Sequence, residues 1–299
     1  MKPTISKVEH CRVCNWKRIH DLGVRRNYYL ANLDQTIPPS YAICQDCYFI
    51  FQGEYIGDKF LNYYYRQSPM LCRKEPTVFE VDQNERQGES LSRHVTLAGK
   101  CVLEIGIHAS AFLRHLYHRF ACTAYFEELS EEARMVLASQ EGLHDFRSME
   151  GEKKVDVVMI LRHVLEHIFN LDSFLGYVHT ILDEGGSLFI EVPDWSHFDV
   201  HTDPFIFEHL NQFDCAGLIQ LLRFTCWQVE ALEKRIHPDD PATPNHVQGI
   251  VARPTNPPLH GDTGLAAVFR TFAAIQYDGW KTALNKLLTS EAAGKSIAL

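Results

Sequence analysis

The text between Cys101 and Pro193 predicts an α/β protein built on a Rossmann-like, mostly parallel sheet, with a small metal-binding domain in front. Three observations carry that expectation. Short apolar runs bounded by glycine or proline, at 101–105, 155–161 and 187–192, read as buried strands. Helix-period segments alternate with them, and that alternation sets strands parallel through crossovers. Two Cys-x-x-Cys motifs precede this text, Cys11-Arg12-Val13-Cys14 and Cys44-Gln45-Asp46-Cys47.

The elements follow in order. Residues 1–57 carry the cysteine pairs, and Phe60 to Pro69 reads as a Tyr-rich linker. Residues 73–94 are polar and in part helical. A first strand at 101–105 leads into a helix at 111–120. A second strand at 121–126 is followed by Ser130, an N-cap with Glu131 and Glu132 in its first turn. The strand at 155–161 precedes an apolar-periodic helix at 171–182, for which Gly185-Gly186 is the expected stop. A strand at 187–192 ends on Pro193. A helix at 214–224 and an antiparallel pair at 227–232 and 246–252 complete the sheet. Pro254, Pro257, Pro258 and Gly261 then mark a linker, and 264–293 reads as one amphipathic helix. The expected division is 1–70, 71–255 and 256–299, the last part reading as the start of a truncated third domain.

Composition narrows the partners. The chain has 299 residues, 45% hydrophobic and 22% charged, as in an ordinary soluble globular protein. A net charge of −9 with no basic run argues against a nucleic-acid partner. No apolar stretch approaches the ~18 residues of a membrane span, and the N-terminus lacks an apolar signal core. Nine cysteines, five of them unpatterned, argue against a disulfide framework and for a reducing, cytoplasmic compartment.

The cysteine pairs are the sharpest signal. Each pair brings two thiolates to one edge of a metal, and two edges close a tetrahedral S₄ site. Cys11, Cys14, Cys44 and Cys47 are therefore the expected ligands of a structural Zn²⁺, which would supply folding energy to a segment with little core. Tyr41 and the run Tyr48-Phe49-Ile50-Phe51 are expected beneath it.

In an open α/β sheet, ligands sit outside the carboxyl ends of the strands, where strand order reverses. Glu104 and Gly106 close the first strand, and glycine there permits a tight turn. Glu128 follows the second strand, placed to accept both hydroxyls of a ribose; Glu127 is its alternative. Ser110 can cap the following helix and offer a hydroxyl to a carboxylate. His163, Glu166 and His167 are spaced i, i+3, i+4 and would share one helical face at the same edge.

These residues, with 156–160, 185–193 and Phe207-Glu208-His209-Leu210, resemble class I S-adenosylmethionine-dependent methyltransferases over roughly 95–255. With the cysteine pairs in front, the chain looks like the zinc-containing sugar C-methyltransferases that act on nucleotide-linked keto-deoxysugars. The resemblance implies S-adenosylmethionine near Glu104, Gly106, His108, Ser110, Glu128 and His163. It also implies a small-molecule substrate, probed by Tyr63 and Tyr65 and by Glu208 and His209, with His209 as the base and His163 and His167 beside it. The turn Gly106-Ile107-His108-Ala109-Ser110 departs from the small-residue turn of that family. An alternative reading is thus a non-methylating relative that keeps the fold as a binding module or for another ligand.

Overall fold

The computed structural model describes residues 4–25, 28–30, 35–67, 78–106, 111–151, 154–160, 164–195, 207–237 and 245–255. The N-terminal part holds β1 (Ser6–Lys7), β2 (Ile19–Arg25), β3 (Tyr28–Leu30), β4 (Gln35–Ile37), β5 (Ser40–Cys44), β6 (Ile50–Gln52) and β7 (Glu54–Tyr55). Helices α1 (Asp58–Gln67) and α2 (Val78–His94) follow. Then come β8 (Cys101–Ile105), α3 (Ala111–Phe120), β9 (Thr123–Glu127), α4 (Glu131–Ala138), β10 (Leu143–Asp145), β11 (Val155–Ile160), α5 (Leu171–Ile181) and β12 (Leu182–Pro193). The described chain closes with β13 (Asn211–Gln212), α6 (Cys215–Phe224), β14 (Trp227–His237) and β15 (Asn245–Pro254).

Seven strands form the main sheet in the order β10-β9-β8-β11-β12-β15-β14. The first five are parallel, and β15 runs antiparallel to both β12 and β14. This is the Rossmann-like, mostly parallel sheet that the sequence predicts. Strand order reverses between β8 and β11, so the ligand-binding crevice of such a sheet falls at their carboxyl ends.

Alternation along β8 shows how the layers are made. Val102 points into a core shared with Leu91 of α2, Leu113 and Leu116 of α3 and Leu137 of α4. Leu103 and Ile105 point the other way, onto Leu175 and Val178 of α5 and Leu218 and Leu221 of α6. Period-two strands buried on both faces require this two-sided covering. Ser130 caps α4 by accepting from the Ala133 N–H, and Asp214 caps α6 by accepting from the Gly217 N–H at 2.6 Å.

The structure departs from the sequence reading in three places. The Tyr-rich segment is the helix α1, because Phe60 and Tyr64 recur at one-turn spacing on a face packed with Ile37, Ile56 and Phe207. The expected helix stop at Gly185-Gly186 lies inside β12. The helix ends at Ile181 and the strand starts at once, with a register shift between Val155↔Leu182 and Val157↔Ser187. The stretch 165–167 is one 3₁₀ turn rather than a longer helix.

A second, four-stranded sheet has the order β13-β6-β5-β2. Its outer strand, β13, comes from the segment after β12 and pairs antiparallel with β6, Asn211 against Phe51 and Gln212 against Ile50. The cysteine-bearing region and the segment between β12 and α6 therefore share hydrogen bonds. Residues 256–299, with the expected terminal helix and strand, lie outside the described residues.

Candidate functional site

The two cysteine pairs fold into matching knuckles. The Asn15 N–H donates to the Cys11 carbonyl and the Tyr48 N–H to the Cys44 carbonyl, each at 2.9 Å. Asn15 and Tyr48 both sit at positive φ, 59° and 61°; for a bulky residue such as Tyr48 that conformation is uncommon and is imposed by the turn. Within each knuckle a backbone N–H reaches the first sulfur at 3.4 Å, Val13 to Cys11 and Asp46 to Cys44. Across the knuckles the sulfurs of Cys11 and Cys47 lie 3.4 Å apart and those of Cys14 and Cys44 3.6 Å. A tetrahedron of sulfurs about 2.3 Å from zinc has edges of roughly 3.8 Å. The four donors thus fit a closed S₄ site. Phe49 and Phe51 pack in the same core as these cysteines, whereas Tyr41 packs with Ile50 and Trp195.

At the switch point, Gly106 ends β8 with φ +72°. Its N–H donates to the Glu127 carbonyl at 2.9 Å, which ties the first turn to the end of β9. A Cβ at Gly106 would stand 2.6 Å from Cγ2 of Val164, so only glycine lets the chain after β11 come this close. Glu104 is fully buried, in register with Met159 and Phe126. Glu128 accepts from the Ser130 N–H at 2.8 Å, and burial pushes its carboxyl up. The alternative acid, Glu127, accepts from the Tyr177 hydroxyl at 2.8 Å. Gly106 thus stands between the end of β9 and the chain after β11, at the switch point where such a sheet takes its ligand. Glycine approach and a buried acid fit a nucleoside-bearing cofactor there. His108, Ser110 and His163 lie outside the described residues.

Two segments meet near this switch point, 164–168 and 207–213. Asn211 stitches them, its Nδ2 donating to the Ile168 carbonyl at 2.7 Å and facing the Glu166 carbonyl at 3.3 Å. The His167 Nδ1 lies 2.8 Å from the Glu208 carbonyl. A carbonyl only accepts, so Nδ1 carries a proton, and in the neutral imidazole the lone pair then sits on Nε2. The Tyr65 hydroxyl is 3.2 Å from the same Nδ1. The Tyr64 hydroxyl donates to the Glu208 carboxylate at 2.5 Å. The rings of His167 and His209 meet edge to face, centroids 5.1 Å apart. Between them lies Glu166, 1% exposed, with Oε1 3.9 Å from His209 Nε2. Burial, joined by the charges of Glu208 and Glu166, raises the Tyr65 phenol well above its ordinary value.

The structure thus brings Glu208, His209, His167 and Tyr65 together. Tyr63 and Tyr65, two apart on α1, lie on opposite faces of the helix, and Tyr64 takes the place expected of Tyr63. Three residues of this site were not among the expected site residues. Glu166 was placed only on a helix face, yet it stands between the two imidazoles. Tyr64 is legible as the fourth residue after Phe60. Arg12 carries no sequence signal. It lies half-buried in the first knuckle, donates to the Leu210 carbonyl at 3.0 Å and stacks on Phe169 at 4.4 Å; desolvation lowers its guanidinium to about 9.

Residues 83–239, just over half of the chain, match the family model described as a methyltransferase domain. The chain belongs to that family, and with the strand order above it is an S-adenosylmethionine-dependent methyltransferase by class. Similar solved structures include the Burkholderia thailandensis 1,6-didemethyltoxoflavin-N1-methyltransferase with bound 1,6-didemethyltoxoflavin and S-adenosylhomocysteine (18% identity, 58% of this chain and 78% of that one, TM-score 0.43). The glycopeptide N-methyltransferase MtfA complexed with S-adenosylmethionine is another (12% identity, 57% and 87%, TM-score 0.43). A third is an S-adenosylmethionine-dependent methyltransferase from Mesorhizobium loti (13% identity, 58% and 99%, TM-score 0.44). No curated protein matches the chain. Among the described residues no helix is long and apolar enough to cross a membrane.

Proposed function

We propose that this enzyme methylates a small molecule whose acceptor atom is acidified by a neighbouring carbonyl, in the manner of a nucleotide-linked keto-deoxysugar, with His209 as the general base. The observation that carries the reading is the His167–Glu166–His209 cluster, two half-buried imidazoles on a buried carboxylate, near the β8–β11 switch point. Bound S-adenosylmethionine supplies an electrophilic methyl on a sulfonium. Gly106, Glu104 and Glu128 would hold it, with His108, Ser110 and His163 assigned by resemblance. His209 removes a proton from the acceptor, and Glu166 stabilises the imidazolium that forms. Tyr65 donates toward the developing enolate, since its raised phenol keeps its proton. Glu208, fixed by Tyr64, holds the loop in register. The substrate class rests on the resemblance to the sugar C-methyltransferases. The four cysteines take a structural Zn²⁺, and the fit of their sulfur spacings supports it.

His209→Ala tests the base. S-adenosylhomocysteine binding by calorimetry is expected to stay within a few-fold of wild type, while turnover of a nucleotide-linked keto sugar falls about 10²–10⁴-fold. Exchange of the acceptor α-proton into deuterated water should fall with it. Full turnover in the variant removes His209 from the chemistry.

A further inference from the structure

Glu166, His167 and His209 each offer one ligand atom within 4.8 Å of the others. Glu166 Oε1 lies 4.0 Å from His167 Nε2 and 3.9 Å from His209 Nε2. Three features distinguish this from two histidines that happen to pass an acid. The carboxylate is 1% exposed, so water screens it little. The Nδ1–H of His167 points at the Glu208 carbonyl at 2.8 Å, which leaves the lone pair on Nε2, the atom facing Glu166. A backbone carbonyl holding the far nitrogen is the arrangement that orients metal-ligating histidines. Both contributing segments are fixed: Asn211 donates to the Ile168 carbonyl, and Gln52 donates to the carbonyls of Phe207, at 2.7 Å, and His209, at 3.3 Å.

We propose that Glu166, His167 and His209 form a second metal site, apart from the four cysteines, that takes a divalent transition metal. Ligands about 2.0–2.2 Å from such an ion stand roughly 3–3.5 Å from one another, so the two carboxylate–imidazole distances need to close by about half an ångström and the two imidazole nitrogens, within 4.8 Å of each other, by up to about 1.5 Å. Two imidazoles and one carboxylate select zinc, cobalt(II) or iron(II) over magnesium and calcium, which demand oxygen. Three protein ligands leave a position open for water or a substrate oxygen. His209 Nε2 cannot hold a metal and accept a proton at once, so a bound ion silences the base. That consequence rests on the base reading above; the binding itself does not.

The test uses the full chain with its cysteine site filled by one equivalent of Zn²⁺, titrated with Co²⁺. One further equivalent is expected, with the weak visible bands of a nitrogen–oxygen site and no thiolate charge-transfer band. His209→Ala should weaken that equivalent at least ~100-fold, beyond the effect of losing an outer-shell partner, and leave the zinc in place. Glu166→Gln should do the same. Should the buried Glu166 variant fail to fold, His209→Gln gives the same readout from a side chain still 15% exposed. Saturation at one metal per chain, or unchanged Co²⁺ affinity in His209→Ala, overturns the proposal. Co²⁺ binding in wild type together with full turnover in His209→Ala keeps the metal site and sinks the base, so the two failures are told apart.

Discussion

Gly106→Ala isolates the contact that shapes the crevice. Gly106 sits at φ +72°, where a residue with a Cβ costs about 1–2 kcal/mol. The new Cβ would also meet Val164 Cγ2 at 2.6 Å and Cγ1 at 3.1 Å. Both are side-chain atoms of a β-branched residue with little rotamer freedom, so relief requires the backbone after β11 to move. Overpacking of this kind costs about 1–3 kcal/mol. The sum, about 2–5 kcal/mol, corresponds to a fall in Tm of roughly 4–20 °C for a domain of this size. S-adenosylhomocysteine affinity should fall as well, because Val164 leads directly into Glu166 and His167. Urea unfolding of Gly106→Ala, Val164→Ala and the double variant separates the two costs. Removing Val164's methyls relieves the clash but not the backbone strain, so the pair should couple by about 1 kcal/mol or more, in the rescuing direction. Strict additivity, or a Gly106→Ala protein as stable as wild type, refutes the account.

Two further outcomes are expected. Cys44→Ser, or prolonged chelation, should remove one zinc per chain by elemental analysis and cost turnover, because the knuckles support the strand next to His209; a fully active zinc-free protein contradicts this. Asp214 has its carboxyl pushed up to about 6, by burial first and by the charge of Asp194, against the Gly217 N–H and Lys234 that favour ionisation. The folded state therefore keeps a proton that the unfolded chain releases near 3.8, and stability should fall as pH rises between about 4 and 6. Asp214→Asn keeps the cap and should flatten that fall. It should gain about 1–3 kcal/mol at pH 7.5 by denaturant titration and nothing at pH 4, given 1.36 kcal/mol per pKa unit and partial exposure.

Six of the seven strands of the main sheet were legible because each carries its own signal; the three-residue edge strand β10 is too short to carry one. A run such as 101–105 is apolar, short and closed by glycine, and strands buried on both faces leave no other reading. The cysteine cluster was legible for the same reason, since two local motifs need only be brought together. What escaped lies where local pattern and tertiary contact disagree. Gly185-Gly186 punctuates a helix in the sequence but serves a register shift in β12, which only the pairing with β11 reveals. His163, Glu166 and His167 have helical spacing, yet the segment makes a single 3₁₀ turn, because its backbone carbonyls are taken by Asn211 from another segment. Glu166 belongs to the site through His209, 43 positions later, and no spacing rule reaches that far.

Arg12 shows how the cysteine knuckle is tied to the segment that carries His209. A segment with few apolar residues could not hold a buried guanidinium, whose desolvation drives its affinity for the proton down. Anchored between Cys11 and Cys14, Arg12 reaches the carbonyls of Gln52 and Leu210 and the Asn211 side chain. Those three atoms lie on β6 and on β13 with the residue before it, the strand pair that ties the segment after β12 to the cysteine region. The Leu210 carbonyl it holds is one peptide from His209. Gln52, whose own carbonyl it also holds, fixes the Phe207 and His209 carbonyls through its side chain. Rigidity made at the four sulfurs thus passes through one side chain to the imidazole. The segment that carries His209 has only a two-residue strand of its own, so its geometry is borrowed from the cysteine region.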